Sequence, residues 1–269
     1  MLLPLGDLSL HGRTIGRGLP LLFLHGFAQS SYCWREVSAC LPDYRRIALD
    51  LKGHGDSDKP RDGSYRVSDQ ARLVLAAIRA LELPELVLVG HSLGGAVALT
   101  AAAELQETGT PRLRGLVLLD AVSFPQRIPW PLQVLRLPLV GEAAAGLAAA
   151  RLAVRTAFRI AYHDRSRISE EMVAEHARCM NLPGARAALV STARHMTDEP
   201  VWELASGVTC PALVIWGRHD PLVPLAVGER LAAALPQARL EILEECGHYP
   251  QQEEPEGTAR LMGEFVSEL

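Results

Sequence analysis

The chain predicts an α/β fold built on a mostly parallel sheet, and three observations carry that reading. Short apolar runs alternate with longer stretches of helical periodicity, the pattern of repeated strand–helix–strand units. Several of the short runs are apolar without interruption, as expected of strands covered by helices on both faces. The composition is globular, with 48% hydrophobic and 22% charged residues in 269, enough chain to bury one core without disulfides or a structural metal.

Taken in order, strands are expected at 21–24, 46–49, 86–89, 116–119, 212–216 and 240–243, and helices at 67–81, 93–105, 225–235 and 256–266. Gly109 is placed to end the second helix, because glycine accepts the left-handed conformation at a helix C-terminus. The rhythm breaks between Phe124 and about Ser206. Pro125, Pro129, Pro131 and Pro138 open that interval, which then turns rich in alanine and arginine with helical spacing. It includes a helix over 168–180, with Ser169 as N-cap ahead of the acidic Glu170 and Glu171. The organisation expected is a core of 1–124 and 207–269 with a helical insertion over 125–206. There is no internal repeat and no low-complexity linker.

Composition also narrows the function classes. A formal charge of −4 speaks against a nucleic-acid binder, which usually presents a basic face. Lys52 and Lys59 are the only lysines among 27 basic residues, a bias without a functional reading. The five cysteines, Cys33, Cys40, Cys179, Cys210 and Cys246, are odd in number and scattered, which gives neither a disulfide framework nor a zinc site. Residues 1–10 lack a basic n-region and carry Asp7, so they do not read as a signal peptide. The most apolar stretch, 129–154, is interrupted by Arg136, Glu142 and Arg151 and is no membrane span. A cytoplasmic protein is expected, and nothing in the sequence sets its oligomeric state.

The sharpest chemical feature is Val89-Gly90-His91-Ser92-Leu93-Gly94-Gly95, directly after an expected strand and before an expected helix. G-x-S-x-G in that context is a nucleophile elbow, a turn so tight that the residues two before and two after the serine must be tiny. Gly90 and Gly94 meet that demand. The turn pushes the Ser92 hydroxyl out at the carboxyl end of the sheet, where the N-terminal amides of the next helix also point.

A serine hydroxyl is a weak nucleophile until a base takes its proton, and that base needs an orienting acid. Two later strands end in Trp216-Gly217-Arg218-His219-Asp220-Pro221 and Cys246-Gly247-His248-Tyr249-Pro250, at the sheet edge where ligand sites form. The order Ser92, Asp220, His248 suits an elbow of this kind, and one helix and one strand fit between the last two. Asp120, which ends another strand, is the alternative acid. Leu24-His25-Gly26-Phe27 closes an early strand, so a tetrahedral oxyanion is expected to find its two donors in the backbone N–H groups of Phe27 and Leu93. Of the nine histidines, His25, His54, His91 and His219 read as structural or pocket-lining, and His11, His163, His176 and His195 as surface or insertion residues.

At these motifs the chain resembles the α/β-hydrolase fold superfamily along most of its length. The segment from Leu22 through Trp34 resembles the family's HG oxyanion segment, and 50–57 its D-x-R-G-x-G-x-S loop, with Lys52 where arginine is usual. Residues 216–224 fit W-G-x-x-D-x-x-x-P and 247–255 fit G-H-x-P-x-x-E-x-P. The resemblance implies that 125–206 caps the active site. Its apolar residues Trp130, Leu132, Leu135, Leu137 and Leu139 then either line an acyl pocket or pack on the sheet domain.

The reading reached is a serine hydrolase of a small to medium carboxylic ester with an apolar part, needing no metal or organic cofactor. The same triad serves carbon–carbon bond hydrolysis, perhydrolysis or a lyase reaction in similar proteins. His91 before the serine and Phe27-Ala28-Gln29, in place of a glycine-rich oxyanion loop, point away from the carbon–carbon hydrolases. Epoxide hydrolases and haloalkane dehalogenases use an aspartate nucleophile, which Ser92 replaces here. A non-catalytic ligand-binding module is the remaining rival, against which the intact Ser, Asp and His speak.

Overall fold

A computed structural model describes residues 1–108, 113–125, 128, 130–147 and 149–269. The expected helix end at Gly109 and the prolyl position Pro129 lie outside the described residues. The elements run β1 (Leu2–Leu5), β2 (Leu8–Ile15), β3 (Pro20–Leu24), α1 (Arg35–Ala39), β4 (Arg45–Leu49), α2 (Val67–Ala80), β5 (Leu86–His91), α3 (Leu93–Glu107) and β6 (Leu113–Leu119). Five helices follow, α4 (Trp130–Arg136), α5 (Val140–Leu147), α6 (Ala150–Ala161), α7 (Glu170–Met180) and α8 (Ala185–His195). The chain then returns through β7 (Ala212–Gly217), α9 (Leu225–Ala234), β8 (Ala238–Leu243), α10 (Pro250–Glu253) and α11 (Pro255–Ser267).

The eight strands form one sheet in the order β1-β2-β4-β3-β5-β6-β7-β8. The strands from β4 to β8 pair in parallel, as the alternation of apolar runs and helical patterns requires. β1 and β2 pair with each other, and β2 with β4, in antiparallel fashion. This hairpin is an addition to the sequence reading. Its strands alternate between exposed and covered residues and never form a continuous apolar run.

Period-2 alternation divides the interior into two layers. Leu22, Leu24, Leu88, Leu116, Leu118 and Val214 pack with α2, α3 and α9 on one face of the sheet. Leu21, Phe23, Val87, Val89, Val117 and Ile215 pack with α1 and α11 on the other. α3 is buried almost throughout, and its glycine and alanine run lets it lie close to the strands on either side of β5. α7 begins as expected, with the Ser169 side chain accepting from Met172 N–H at 3.1 Å.

A third cluster joins the helices between β6 and β7 to the core. Val154 and Phe158 of α6 and Met172 and Val173 of α7 close around Tyr32 and Tyr249, which belong to the chain following β3 and β8. That packing sets α6 and α7 at the carboxyl ends of the strands. Charged contacts support it from the rim. Arg178 of α7 reaches both carboxylate oxygens of Asp56 at 2.9 Å, and Ser68 donates to Glu199 at 2.6 Å. Among the described residues, no helix is long and apolar enough to cross a membrane.

Trp216 is wholly buried, its indole N–H donating to Val223 O at 2.9 Å, so Trp216→Ala is expected to lower the unfolding free energy by about 3–5 kcal/mol in a denaturant titration. Two buried histidines add a pH dependence. Burial pushes His176 down to about 4, and burial together with nearby His25 pushes His54 down to about 3. Below about pH 6.5 the unfolded chain takes up these protons while the folded one refuses them, so stability falls with pH. Between pH 6.5 and 5 each of the two is expected to remove about 2 kcal/mol, read from the same titration repeated at both pH values. A flat stability over that interval contradicts the assignment.

Candidate active site

Ser92 sits between β5 and α3 with φ 53° and ψ −118°, a conformation that strains any residue with a side chain. Its neighbours leave the backbone no alternative. Ser92 N–H donates to Leu119 O at 2.9 Å, and Val122 N–H donates back to Ser92 O at 3.0 Å, tying the bend to the end of β6. A Cβ on Gly90 would lie 2.3 Å from Gly94 O, and one on Gly94 2.2 Å from Leu24 O. Neither glycine tolerates a side chain, which is the local reason for G-x-S-x-G.

His248 and Asp220 come to this bend from the loops after β8 and β7. His248 Nε2 lies 3.0 Å from Ser92 Oγ, and its Nδ1 lies 2.6 Å from Asp220 Oδ2. Asp220 Oδ1 also accepts from Leu222 N–H at 2.7 Å and Val223 N–H at 3.0 Å, which fixes the carboxylate. The three side chains are covered, with Ser92 keeping 7% of its surface exposed. The Asp220–His248 contact fixes the tautomer: Nδ1 carries the proton and Nε2 faces the hydroxyl as an acceptor.

The His248 loop is clamped from three directions. His248 N–H donates to Ala161 O at 2.9 Å, at the end of α6, and His91 Nε2–H donates to His248 O at 2.7 Å. Glu253 accepts from Gly247 N–H at 3.1 Å and Tyr249 N–H at 3.3 Å with one oxygen. Its other oxygen takes His163 N–H at 2.8 Å and Asp164 N–H at 3.2 Å. Burial pushes the Glu253 carboxyl up, while these backbone donors act against that shift.

The backbone N–H groups of Phe27 and Leu93 have no acceptor among the described residues. Phe27 follows β3, and the turn there is held by His25, whose Nε2 accepts from Leu51 N–H at 3.0 Å while Nδ1–H donates to Gly26 O at 2.8 Å. Burial lowers the pKa of His25, keeping it in the neutral state those two bonds require. Burial and the neighbouring His248 likewise push His91 down, and its Nδ1 lies 3.1 Å from the Gln29 side-chain amide.

The remaining sequence candidates sort by contact. Asp50 braces its own loop, accepting from Ser31 N–H at 2.5 Å, Asp56 N–H at 2.9 Å and His11 at 3.0 Å. Burial alone would raise its pKa, but these donors hold the carboxyl well below the usual carboxylate range. Lys52, where the family's arginine is usual, is buried and bridges Asp62 at 2.7 Å and Ser64 O at 2.9 Å. His219 stacks on His163 with ring centroids 4.2 Å apart. Cys33 and Cys246 are buried, and burial pushes both thiols up.

Two readings need correction or extension. Trp130, Leu137 and Leu139, expected to line a pocket or pack on the sheet domain, are instead exposed at 71%, 50% and 84%. Leu132 does pack against the core. The helical pattern identified the segment but carries no information on which side faces the sheet. Asp120, the alternative acid for the histidine, makes no hydrogen bond to His248 among the described residues, whereas Asp220 does at 2.6 Å. It lies beside Asp220, and one donor atom from each of Asp120, Asp220 and His248 falls within 4.8 Å of the others. His11, Asp50 and Asp56 form a second such group, engaged by Ser31, the Asp56 backbone and Arg178. Ala161 and Glu253 were not singled out as site residues. Glu253 is the glutamate of G-H-x-P-x-x-E-x-P, the one signal that could have found it, whereas Ala161 acts only through its carbonyl.

Residues 20–255 match the alpha/beta hydrolase fold family. The uncharacterized hydrolase YugF of Bacillus subtilis (strain 168) is 31% identical, with 91% of this chain and 89% of the relative covered. A 2-hydroxymuconate semialdehyde hydrolase of Pseudomonas putida is 29% identical, with 94% and 89% covered. Among solved structures, a meta-cleavage product hydrolase from Pseudomonas fluorescens IP01 superposes with a TM-score of 0.82 at 25% identity, covering 97% of this chain and 95% of that one. A thermophilic esterase from Thermogutta terrifontis gives a TM-score of 0.82 at 25% identity, with 97% and 94% covered. With its sheet order, its elbow and this match over most of its length, the chain belongs to the α/β-hydrolase fold family.

Proposed function

We propose that the protein is a serine hydrolase of small to medium carboxylic esters with an apolar part, working through a Ser92–His248–Asp220 triad and an acyl-enzyme. The observation that carries this reading is the pair of contacts made by one imidazole, 3.0 Å to Ser92 Oγ and 2.6 Å to Asp220. As Ser92 Oγ attacks the ester carbonyl, its proton passes to His248 Nε2, and Asp220 stabilises the resulting imidazolium. The oxyanion takes the Phe27 and Leu93 N–H groups, which are unoccupied by other acceptors among the described residues. His248 then gives the proton to the departing alkoxide, so the alcohol leaves and the acyl group stays on Ser92. Water, deprotonated by His248, attacks the acyl carbon, and Ser92 leaves with the proton as the free acid is released. No step calls for a metal or organic cofactor.

Residues 125–206 serve as the cap in this reading. Their α6 and α7 pack on Tyr32 and Tyr249, the latter next to His248 along the chain. The partner is a small molecule rather than a nucleic acid, and the setting is cytoplasmic.

Hydrolysis of a carbon–carbon bond beside a carbonyl is the second reading, favoured by similarity to the 2-hydroxymuconate semialdehyde hydrolase of Pseudomonas putida. Esterase similarity supports the first. A panel of short-chain p-nitrophenyl esters run beside 2-hydroxymuconate semialdehyde separates them. The ester reading expects the larger kcat/KM on the esters, and a preference for the semialdehyde overturns it. On the better substrate, Ser92→Ala is expected to abolish turnover. Asp220→Asn, which unsettles the imidazole tautomer, is expected to lower kcat by about 10³–10⁴-fold. A kcat within about threefold of the parent in Asp220→Asn, judged against the 10³–10⁴-fold scale expected when this support is lost, removes Asp220 from the mechanism.

A further inference from the structure

Asp120 is a buried carboxyl that the mechanism above does not use. It directly follows β6 at φ 42°, a left-handed conformation that aspartate and asparagine accept more readily than most residues. Its backbone N–H donates to Ile215 O at 3.1 Å, and its Oδ1 accepts from Gly217 N–H at 3.0 Å. Its Oδ2 is buried and faces no donor from the protein. The carboxylate of Asp220 lies close by: one oxygen each of Asp120 and Asp220 and one ring nitrogen of His248 fall within 4.8 Å of one another.

Two carboxylates this close and this fully buried disfavour one another's ionisation, so one of them is driven toward the neutral acid. Their hydrogen bonds decide which one keeps the charge. Asp220 accepts from Leu222 N–H, Val223 N–H and His248 Nδ1–H, three donors that favour its anion. Asp120 has the single Gly217 donor and one oxygen without any. A carboxylate offers about four acceptor sites, so Asp220 has one left after its three donors.

From this geometry we infer that Asp120 is held as the neutral acid and donates its Oδ2 proton to Asp220, making it a positioning residue for the triad. The inference rests on the proposed triad and deepens it. By drawing charge out of Asp220, the Asp120 proton limits how strongly that carboxylate favours the imidazolium of His248. Removing that proton donor would leave Asp220 free to hold the imidazolium more strongly, which is the difference the Asp120 variants read. Burial and the adjoining Asp220 push Asp120 well above the usual carboxylate range, in agreement with the geometry. The titratable groups facing it are Asp220 and His248, with Glu253 and Cys246 farther off.

The test has a spectroscopic arm and a kinetic arm. The infrared difference spectrum between the parent and Asp120→Asn at neutral pH should show a protonated carboxylic acid carbonyl band that the variant lacks. Taking the difference between these two proteins separates Asp120 from Glu253. If no acid band is lost, Asp120 is ionised and the inference is overturned, whether or not Ser92 is a nucleophile. The kinetic arm follows the rate of fluorophosphonate inactivation against pH. Asp120→Ala removes the donor to Asp220, so the acid limb is expected to move up by about one pH unit, a loss of about tenfold in rate on that limb. Asp120→Asn keeps an N–H donor to Asp220 and is expected to return the limb toward the parent position. A uniform loss at all pH values in both variants, with no shift, marks a purely structural residue and overturns the inference. Failure of the parent to react at all defeats the triad but leaves the infrared result standing.

Discussion

Everything at this site depends on a bend between β5 and α3 that has no room for a side chain on either flank. Gly90 approaches Gly94 O, and Gly94 approaches Leu24 O, so closely that a single added carbon would overlap them. Because the turn cannot widen, Ser92 must take a positive φ, and bonds to Leu119 and Val122 hold it there. The strain is local, and the packed sheet on both faces of β5 absorbs it. What it achieves is geometric. The hydroxyl leaves the sheet at the level where the loops after β7 and β8 arrive, while the start of α3 presents Leu93 N–H beside it.

Around that bend, histidines do two different jobs. His25 and His91 are scaffolding: each uses its ring to hold a backbone group, and burial keeps both neutral. His248 alone has one nitrogen on a carboxylate and the other on the serine hydroxyl. The distinction lies in what each ring touches, since all three are equally hidden from water. Glu253 and the end of α6 hold the His248 loop from outside, so the inserted helices are tied to the position of His248 as well as to the surface above it.

Much of this was legible in the sequence because its physics is local. Strands sandwiched between helices must be apolar throughout, so β3, β5, β6 and β7 were visible as uninterrupted runs. The elbow was visible because a steric demand for glycine leaves glycines in the chain. The hairpin of β1 and β2 was less visible, since its alternating exposure gives only a weak signal over a few residues. Which apolar residues at the start of α4 and in the turn after it are covered was not legible either: Trp130, Leu137 and Leu139 are apolar yet exposed. Asp120 shows a third limit. Its position at a strand end was plain, but whether it replaces Asp220 or adjoins it depends on a separation of a few ångströms between two loops, which no spacing along the chain encodes.

The most direct measurement is the site of covalent attachment when the folded protein is treated with a fluorophosphonate and mapped by peptide mass spectrometry. One adduct is expected, on Ser92, lost when the protein is unfolded before treatment. Stoichiometric modification of another residue, or an unmodified Ser92 in folded protein that still turns over its substrate, would contradict it.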